Sequence, residues 1–314
     1  MPRLRDQDPP SLFFSIYNFN EIIISYLKTY KLILLMNFVS GERLQCLCDI
    51  SIITPDIVNF HQNIAFKTPL FITTFKEPEL EEKVKILDRC ISIFVYTHLL
   101  DNFFIYIYPK IQNPFYLVTH NSDHHITHKY LPYLDEEKII HWYAQNINLF
   151  HEKLSPLPIG IANSQWKHGN MEIINKISYQ PIQKTHLLYI NFNINTNVRK
   201  RQPIYNLFKK KNIGTFQQNQ PFEEYLKTLK SHKFCLVPPG NGIDCHRTWE
   251  CLYFGVIPIV EKHPHNIQLA KHLPLLVVED WNIITEEYLN NYYKLHSFKP
   301  EERMFLKYYK KKLC

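Results

Sequence analysis

Cysteine pairs of the CxxC type are absent from the sequence, although it contains seven cysteines. Without such a pair, a structural zinc site is not expected. The odd number of cysteines argues against a disulfide framework, and so does the position of several of them in apolar runs such as Phe234-Cys235-Leu236. The sequence therefore predicts small buried thiols in a reducing compartment.

Long apolar runs are missing as well. The most apolar early run, residues 32–39, is too short to span a bilayer and is interrupted by Asn37. Residues 1–11 are polar and contain three prolines, which is not the pattern of a signal peptide. We therefore expect a soluble, cytoplasmic protein without stable membrane insertion.

Positive charge is in excess but forms no long block. The net charge is +7, and neither zinc-finger spacing nor an RNA-binding signature accompanies it. Nucleic acid is therefore not an expected partner. The charge fits a phosphorylated small molecule, or it only reflects a lysine-rich surface that keeps the protein soluble.

The composition is that of a globular protein, with 45% hydrophobic and 21% charged residues in a chain of 314. Runs typical of strands alternate with runs of helical spacing, which predicts an α/β fold with parallel sheets covered on both faces. The length suits one large or two medium domains. We place a domain boundary near residue 180, giving residues 1–180 and 181–314.

The predicted elements fall in a regular order along the chain. Strands are expected at residues 45–53, 69–74, 91–96, 115–119, 139–144, 186–192, 233–237, 256–260 and 273–278. Helices are expected at residues 79–89, 99–107, 171–177, 199–211, 221–229, 244–254 and 284–295. The basic tail from residue 308 is expected to fray.

With only seven glycines in the chain, the loop from Pro238 to Gly242 stands out. It joins a predicted strand to a predicted helix, and ligands of parallel sheets bind beyond the carboxyl ends of strands. Gly240 and Gly242 permit close approach of the backbone to a ligand, and the start of the helix favours phosphate. We therefore predict a binding loop formed by the segment Pro239, Gly240, Asn241 and Gly242.

Asp244, Arg247 and Glu250 follow at three-residue spacing, which places them on one face of a helix that we expect to be unburied. Asp244 or the backbone near it would cap the helix start. Arg247 can pair with a diphosphate in fork geometry, and Glu250 can accept hydrogen bonds from ribose hydroxyls. The alternative is an ion-paired helix surface behind an ordinary glycine turn.

The segment FCLVPPGNGIDCHRTWECLYFGVIPIV, residues 234–260, resembles the C-terminal donor-binding motif of exostosin-like glycosyltransferases. The segments VTHNSDHHI (118–126), WYAQNI (142–147) and LPIGIANSQWKHG (157–169) resemble, less closely, exostosin-like proteins of large DNA viruses and some microbes. If the protein is viral, the expected compartment is the cytoplasm of the host.

This resemblance implies the GT-B architecture, with two Rossmann-like domains facing a cleft. It implies an acceptor side in residues 1–180 and a nucleotide-sugar donor site in residues 181–314, with Glu250 at the ribose and Arg247 at the phosphates. GT-B enzymes generally need no bound metal. The only DxD sequence, Asp6-Gln7-Asp8, follows no predicted strand and is poorly placed to hold a cation.

The first half offers a candidate catalytic base. An inverting transferase needs a group that takes the proton of the acceptor hydroxyl, and Asp123 or His120 follows a predicted strand at the cleft edge. The alternative is a turn whose polar side chains only satisfy the backbone. His124 and His128 share a helical face, but no adjacent glutamate supports a metal site.

Arg201 and Arg199 are further donor-site candidates, since the loop before them borders the diphosphate in the two-Rossmann plan. Positive charge at a helix start is unfavourable, which slightly favours an anionic ligand at these arginines. The alternative is that they only form a solvated helix start. The expected partners are a nucleotide-sugar and a glycan acceptor. A non-catalytic nucleotide- or glycan-binding protein is the alternative function. The sequence specifies neither sugar, acceptor nor oligomeric state.

Overall fold

The computed structural model describes residues 38–54, 70–76, 79–296 and 298–313. A single compact unit begins at Phe38. The predicted polar N-terminus, the Asp6-Gln7-Asp8 sequence and most of the apolar run at 32–39 lie outside the described residues.

Two parallel sheets form the frame, as the alternation of strands and helices predicts. The first contains, in chain order, β1 Ile50–Ile52, β2 Leu70–Ile72, β3 Ser92–Tyr96, β4 Phe115–His120, β5 Ile139–Ala144 and β6 Leu154–Pro156. Its spatial order is β2-β1-β3-β4-β5-β6, and every neighbouring pair is parallel. All five residues of β3 are buried, as expected for a central strand with both faces covered.

The second sheet contains β7 His186–Ile190, β8 Thr215–Phe216, β9 His232–Leu236, β10 Ile257–Glu261 and β11 Leu276–Val278. Its order is β11-β10-β9-β7-β8, again parallel throughout. From β7 the chain turns to one side for β8 and to the other for β9. The carboxyl ends of β7 and β9 therefore meet where the strand order reverses, the usual position of a ligand crevice in open α/β sheets.

Helices cover both sheets. They are α1 Gly41–Gln45, α2 Glu79–Leu87, α3 Leu131–Asp135, α4 Met171–Tyr179, α5 Val198–Lys211, α6 Phe222–Lys230, α7 His246–Tyr253, α8 Pro264–Ala270, α9 Glu286–Leu295 and α10 Leu306–Leu313. Asparagine side chains cap α4 and α5 at Asn170 and Asn197. The amphipathic α6 buries Tyr225, Leu226 and Leu229, the face that its spacing predicts.

Three clusters account for much of the hydrophobic core among the described residues. One, around Ile93, Phe115 and Trp142, lies on one face of the first sheet, and another, around Phe94 and Val118, lies on its other face. The third, with Phe208, Phe234 and Ile259, fills the second half.

The C-terminal helix α10 does not fray as predicted. Its Tyr309 and Leu313 are buried against the first sheet, because their spacing gives the helix an apolar stripe beneath its lysines. The described chain thus returns from the second sheet to the first, across the boundary that we placed at residue 180. Conversely, α4 lies before residue 180 but packs against α6 of the second half.

Four further expectations are wrong in detail. The strand predicted from residue 45 begins only at Ile50, after α1, and the helix predicted at 99–107 is a chain of short helical turns. His124 lies in irregular backbone outside any helix, so it shares no helical face with His128. The helix predicted from Asp244 begins at His246. Strands β6 and β8 and helix α8 carried too little pattern to be predicted.

Candidate functional site

A cleft of about 870 Å³ opens where the carboxyl ends of both sheets face each other. The loops after β4 and β6 line one wall, and the loops after β7 and β9, with the start of α7, line the other. Of the predicted site residues, the cleft brings together Asp123, Arg201, Gly240, Asn241, Gly242, Asp244, Arg247 and Glu250.

Arg201 ties the two loops of the second wall together from the first turn of α5. Its Nε donates to the Pro239 carbonyl at 2.9 Å, and its Nη1 donates to the Asn193 carbonyl at 2.7 Å. Burial lowers the pKa of Arg201, and the positive charge of nearby Arg247 adds to this. An arginine nevertheless remains charged, so Arg201 places a cation beneath the glycine loop. This cation contacts carbonyl groups, the Cys245 thiol and the ring of Phe192, and it forms no ion pair with a carboxylate among the described residues.

Arg247 is the exceptional cation of the cleft. Its Nε is buried and has no hydrogen-bond partner among the described residues. The guanidinium as a whole forms no hydrogen bond with them and stands 5.8 Å from the ring centroid of Tyr225. A buried donor without a partner costs about 1–3 kcal/mol, more when charged. An arginine held in this state at a cleft wall is suited to an anionic ligand.

Glu250 lies one helical turn beyond Arg247 and is 5% exposed. One carboxylate oxygen, Oε2, accepts a hydrogen bond of 2.5 Å from the Tyr225 hydroxyl. Burial and the adjacent Glu250 raise the pKa of Tyr225, so this hydroxyl keeps its proton and acts as the donor. Within the described chain, the second oxygen has no partner, which leaves it available to a ligand hydroxyl.

The expectation that the Asp244 side chain caps the helix start is wrong. Its side chain does not cap α7, whose N-cap is Cys245 without a side-chain hydrogen bond. The carboxylate instead accepts from the Trp249 indole at 2.9 Å and from the Ile159 amide at 2.8 Å. Asp244 therefore links the two halves of the molecule, and its oxygens are occupied.

The expectation that this face is unburied is also wrong, since Asp244 and Glu250 are both at most 5% exposed. Helical spacing shows which residues share a face, but it cannot show that the face is covered by a second lobe.

The loop that contains Gly240 and Gly242 packs closely against its neighbours, as its glycines suggest. A Cβ on Gly242 would lie 2.6 Å from Asn146 Nδ2, and one on Gly240 would lie 3.1 Å from Arg201 Nη2. Asn146 follows β5 with a φ of 56°, and its Oδ1 accepts from the Asp244 amide at 3.0 Å. These contacts fix the loop between the two sheets. A side chain at Gly242 would collide with Asn146, and one at Gly240 would require the Arg201 guanidinium to move by a few tenths of an ångström.

The two candidate bases differ sharply. His120 is 1% exposed and does not line the cleft. Its Nδ1 accepts from the Asn121 amide at 2.7 Å, and its Nε2 donates to the Pro158 carbonyl at 2.8 Å. Burial lowers the pKa of His120, so the ring is neutral with both nitrogens engaged. Asp123, by contrast, is exposed at the cleft wall with no hydrogen bond to the described residues.

Two predicted donor residues lie outside the cleft lining. Arg199 is exposed on α5, one turn from the wall, and Pro239 contributes only its carbonyl to Arg201. The described residues contain no group of three or more His, Cys, Asp or Glu side chains arranged for a metal ion. Within the described residues, Cys46, Cys90, Cys235, Cys245 and Cys251 form no disulfide.

Sequence reasoning identified neither the contact of Tyr225 with Glu250 nor that of Asn146 with Asp244. Tyr225 reads as a core position of an amphipathic helix, and nothing in its spacing shows that its hydroxyl meets Glu250. For Asn146, the residue type itself is a weak indication of a left-handed backbone, because asparagine tolerates this conformation better than most residues.

No helix in the described part of the chain combines the length and apolarity needed to cross a bilayer. No protein-family model matches the sequence, and a search of curated proteins finds no match.

Proposed function

We propose that the protein is a glycosyltransferase that moves a sugar from a nucleotide-sugar to a hydroxyl of a glycan or glycoconjugate. The proposal includes the GT-B architecture, with the donor bound by residues 181–314, inversion at the sugar carbon and no metal requirement. The observation that carries it is the unpartnered guanidinium of Arg247, which stands over Tyr225 next to the half-free carboxylate of Glu250.

The chemistry of these groups suits the parts of a nucleotide-sugar. The diphosphate would lie against the Gly240–Gly242 loop and the start of α7, where backbone N–H groups and Arg247 meet its charge. The free oxygen of Glu250 would accept a hydrogen bond from a ribose hydroxyl. Because Tyr225 occupies one oxygen of Glu250, only the other oxygen lacks a partner among the described residues. We therefore expect Glu250 to bind one ribose hydroxyl, whereas the sequence alone suggests that it binds both.

Asp123 stands on the opposite wall, where the acceptor would enter. It would take the proton of the acceptor hydroxyl as that oxygen bonds to the sugar carbon and the bond from carbon to diphosphate oxygen breaks. The nucleoside diphosphate leaves with the bonding electrons, and Arg247 stabilises the charge that develops on it. Attack from the face opposite the leaving group inverts the sugar carbon.

The test is calorimetric titration of wild type and variants with UDP, GDP and uridine. Glu250→Gln keeps the shape of the side chain but removes its charge, so nucleotide affinity should fall by about one to two orders of magnitude. Arg247→Ala should weaken UDP or GDP more than uridine, because it removes a phosphate partner. Arg199→Ala is the matched control, since it removes the same charge from a position outside the cleft lining.

The proposed donor site is wrong if Glu250→Gln binds every nucleotide like wild type. An equal loss of uridine and UDP affinity in Arg247→Ala would contradict its phosphate role. If Arg199→Ala weakens binding as much as Arg247→Ala, general attraction by positive charge explains the result without a site.

A further inference from the structure

A second pocket, of about 290 Å³, lies away from the cleft and shares none of its lining residues. It is bounded by strands β5 and β6 of the first sheet, by α8 and the turn after it, and by the C-terminal segment with α10. Its lining residues are His141, Tyr143, Ser155, Pro156, Gln268, Leu269, His272, Leu273, Arg303, Tyr308, Tyr309 and Lys312.

The charge of this pocket has one sign. Arg303 and Lys312 stand 5.3 Å and 5.8 Å from the ring centroid of the same residue, Tyr308. No aspartate or glutamate lines the pocket, and among the described residues no carboxylate forms an ion pair with either cation. Two cations held at one ring without a counter-charge create a positive local potential, which favours an anion.

The two histidines of the pocket experience this potential. The pKa of His141 is lowered by burial and then by the charge of Lys312. The pKa of His272 is lowered by burial and then by Arg303 and Lys271, while Glu301 acts weakly in the opposite sense from outside the pocket. His141 Nε2 contacts Ser155 Oγ at 2.8 Å, so a polar edge lies beside the cations.

The remaining wall is apolar or aromatic. Tyr143, Pro156, Leu269 and Leu273 face the same space, and Leu269 and Leu273 are each 5% exposed. The pocket therefore has room for a compact organic group against this wall in addition to an anionic group at the cations. A volume near the lower limit of about 300 Å³ for small-molecule sites suits a ligand of one ring rather than a polymer.

We propose that this pocket binds a small phosphorylated molecule, with its phosphate at Arg303 and Lys312 and its organic part against Tyr143 and Leu273. The inference rests on the charges and shape of this pocket alone and is independent of the function proposed for the cleft. The arginine fork can hold two phosphate oxygens, and the lysine adds a point charge.

The experiment follows the imidazole resonances of His141 and His272 by NMR at pH 7.5 and constant ionic strength, with assignment by His141→Gln and His272→Gln. Inorganic phosphate and glucose 6-phosphate are the two probes. We expect both to shift the two resonances in a saturable way, with the sugar phosphate binding at least about threefold more tightly. Arg303→Ala and, separately, Lys312→Ala should weaken both probes about fivefold or more.

The control variant Arg247→Ala should leave these shifts unchanged, because its guanidinium lies in the cleft. The proposal is overturned if sodium chloride produces the same shifts, if both Arg303→Ala and Lys312→Ala bind as wild type does, or if Arg247→Ala abolishes the response. If glucose 6-phosphate binds no more tightly than inorganic phosphate, the pocket binds an anion but does not recognise an organic group, and the proposed ligand class is wrong. Thermal unfolding of each variant shows whether a loss of binding reflects a loss of fold.

Discussion

At the scale of single residues, the two aspartates of the cleft differ in burial and in hydrogen bonding. Asp244 is 4% exposed, and the Trp249 indole and the Ile159 amide both donate to it. The buried His265 lies 3.6 Å from the same carboxylate. Asp123 is exposed and has no partner in the described chain. The first links the two halves of the molecule, whereas the second is accessible from the cleft.

We expect Asp244→Ala to lower the free energy of unfolding by about 3 kcal/mol, because it leaves two buried donors unsatisfied. Asp123→Ala removes the same charge and should change stability by less than about 0.5 kcal/mol. Chemical denaturation of both variants measures the difference. Equal stabilities would show that the contacts of Asp244 contribute little.

A variant of Asp123 can distinguish an enzyme from a non-catalytic binding protein. Asp123→Asn should bind UDP or GDP like wild type, while sugar transfer or donor hydrolysis falls by about two orders of magnitude or more, because the base is lost. Chromatographic detection of released nucleoside diphosphate gives the rate. An unchanged rate would remove Asp123 from the reaction, and a wild type that binds nucleotides but releases none from any sugar donor would favour the binding protein.

Removing metal ions with a chelator tests whether the protein binds the diphosphate without a cation. We expect the affinity for UDP to be the same with and without EDTA, since Arg247, the loop amides and the start of α7 offer the stabilisation that a cation would otherwise supply. Calorimetry before and after adding Mn²⁺ measures this. A strict dependence on Mn²⁺ would contradict the expectation.

At the scale of elements, two lysines hold helix ends in place. Lys184 donates to the carbonyls of Lys230 and Phe254, at the ends of α6 and α7, and to that of His232. Lys230 in turn donates to the carbonyls of Ile177, Ser178 and Gln180 at the end of α4. Cations are favourable at helix C-termini, where carbonyls lack partners within the helix. These bonds fix α4, α6 and α7 behind the cleft.

Lys184→Met should therefore lower the free energy of unfolding by about 2 kcal/mol, because three carbonyls lose a charged donor. Burial lowers the pKa of Lys184 to about 7, which offsets part of the gain from its hydrogen bonds. Lys294→Met, on the exposed face of α9, is the control and should be near neutral. A stable Lys184→Met would mean that water satisfies these carbonyls equally well.

At the scale of the whole molecule, several buried or half-buried histidines are expected to make stability depend on pH. Burial lowers the pKa of His232 and that of His263 to about 4 and also lowers those of His120 and His125. The unfolded chain protonates its histidines near pH 6.5 and so binds more protons than the folded chain below that value. Stability present above pH 6.5 is therefore expected to decline as the pH falls toward 4.

Denaturation at a series of pH values tests this expectation. His232→Phe removes a buried titrating ring while keeping an aromatic side chain, so its loss of stability between pH 6.5 and 4 should be smaller than that of wild type. His128→Phe, which changes an exposed histidine, should leave the pH profile unaltered. Parallel profiles for wild type and His232→Phe would show that other groups dominate.

Much of the framework was already determined by the sequence. Runs such as Ser92–Tyr96 and His232–Leu236 are apolar because central parallel strands are covered on both faces, so the order of strands and helices follows from local pattern. The loop with Gly240 and Gly242 was equally visible, because glycine marks positions where backbone and neighbours approach closely.

Only the tertiary structure decided which of the charged residues remain available. Asp244, Arg247 and Glu250 have the same spacing and similar local context. Trp249 and Ile159 nevertheless donate to Asp244, Tyr225 donates to one oxygen of Glu250, and Arg247 has no hydrogen-bond partner in the described part of the chain. His120 and Asp123 diverge in the same way. Partners up to 85 residues away in the chain produce these differences. Local sequence records the periodicity of a helix or strand, but the availability of a polar group depends on what long-range packing brings against it.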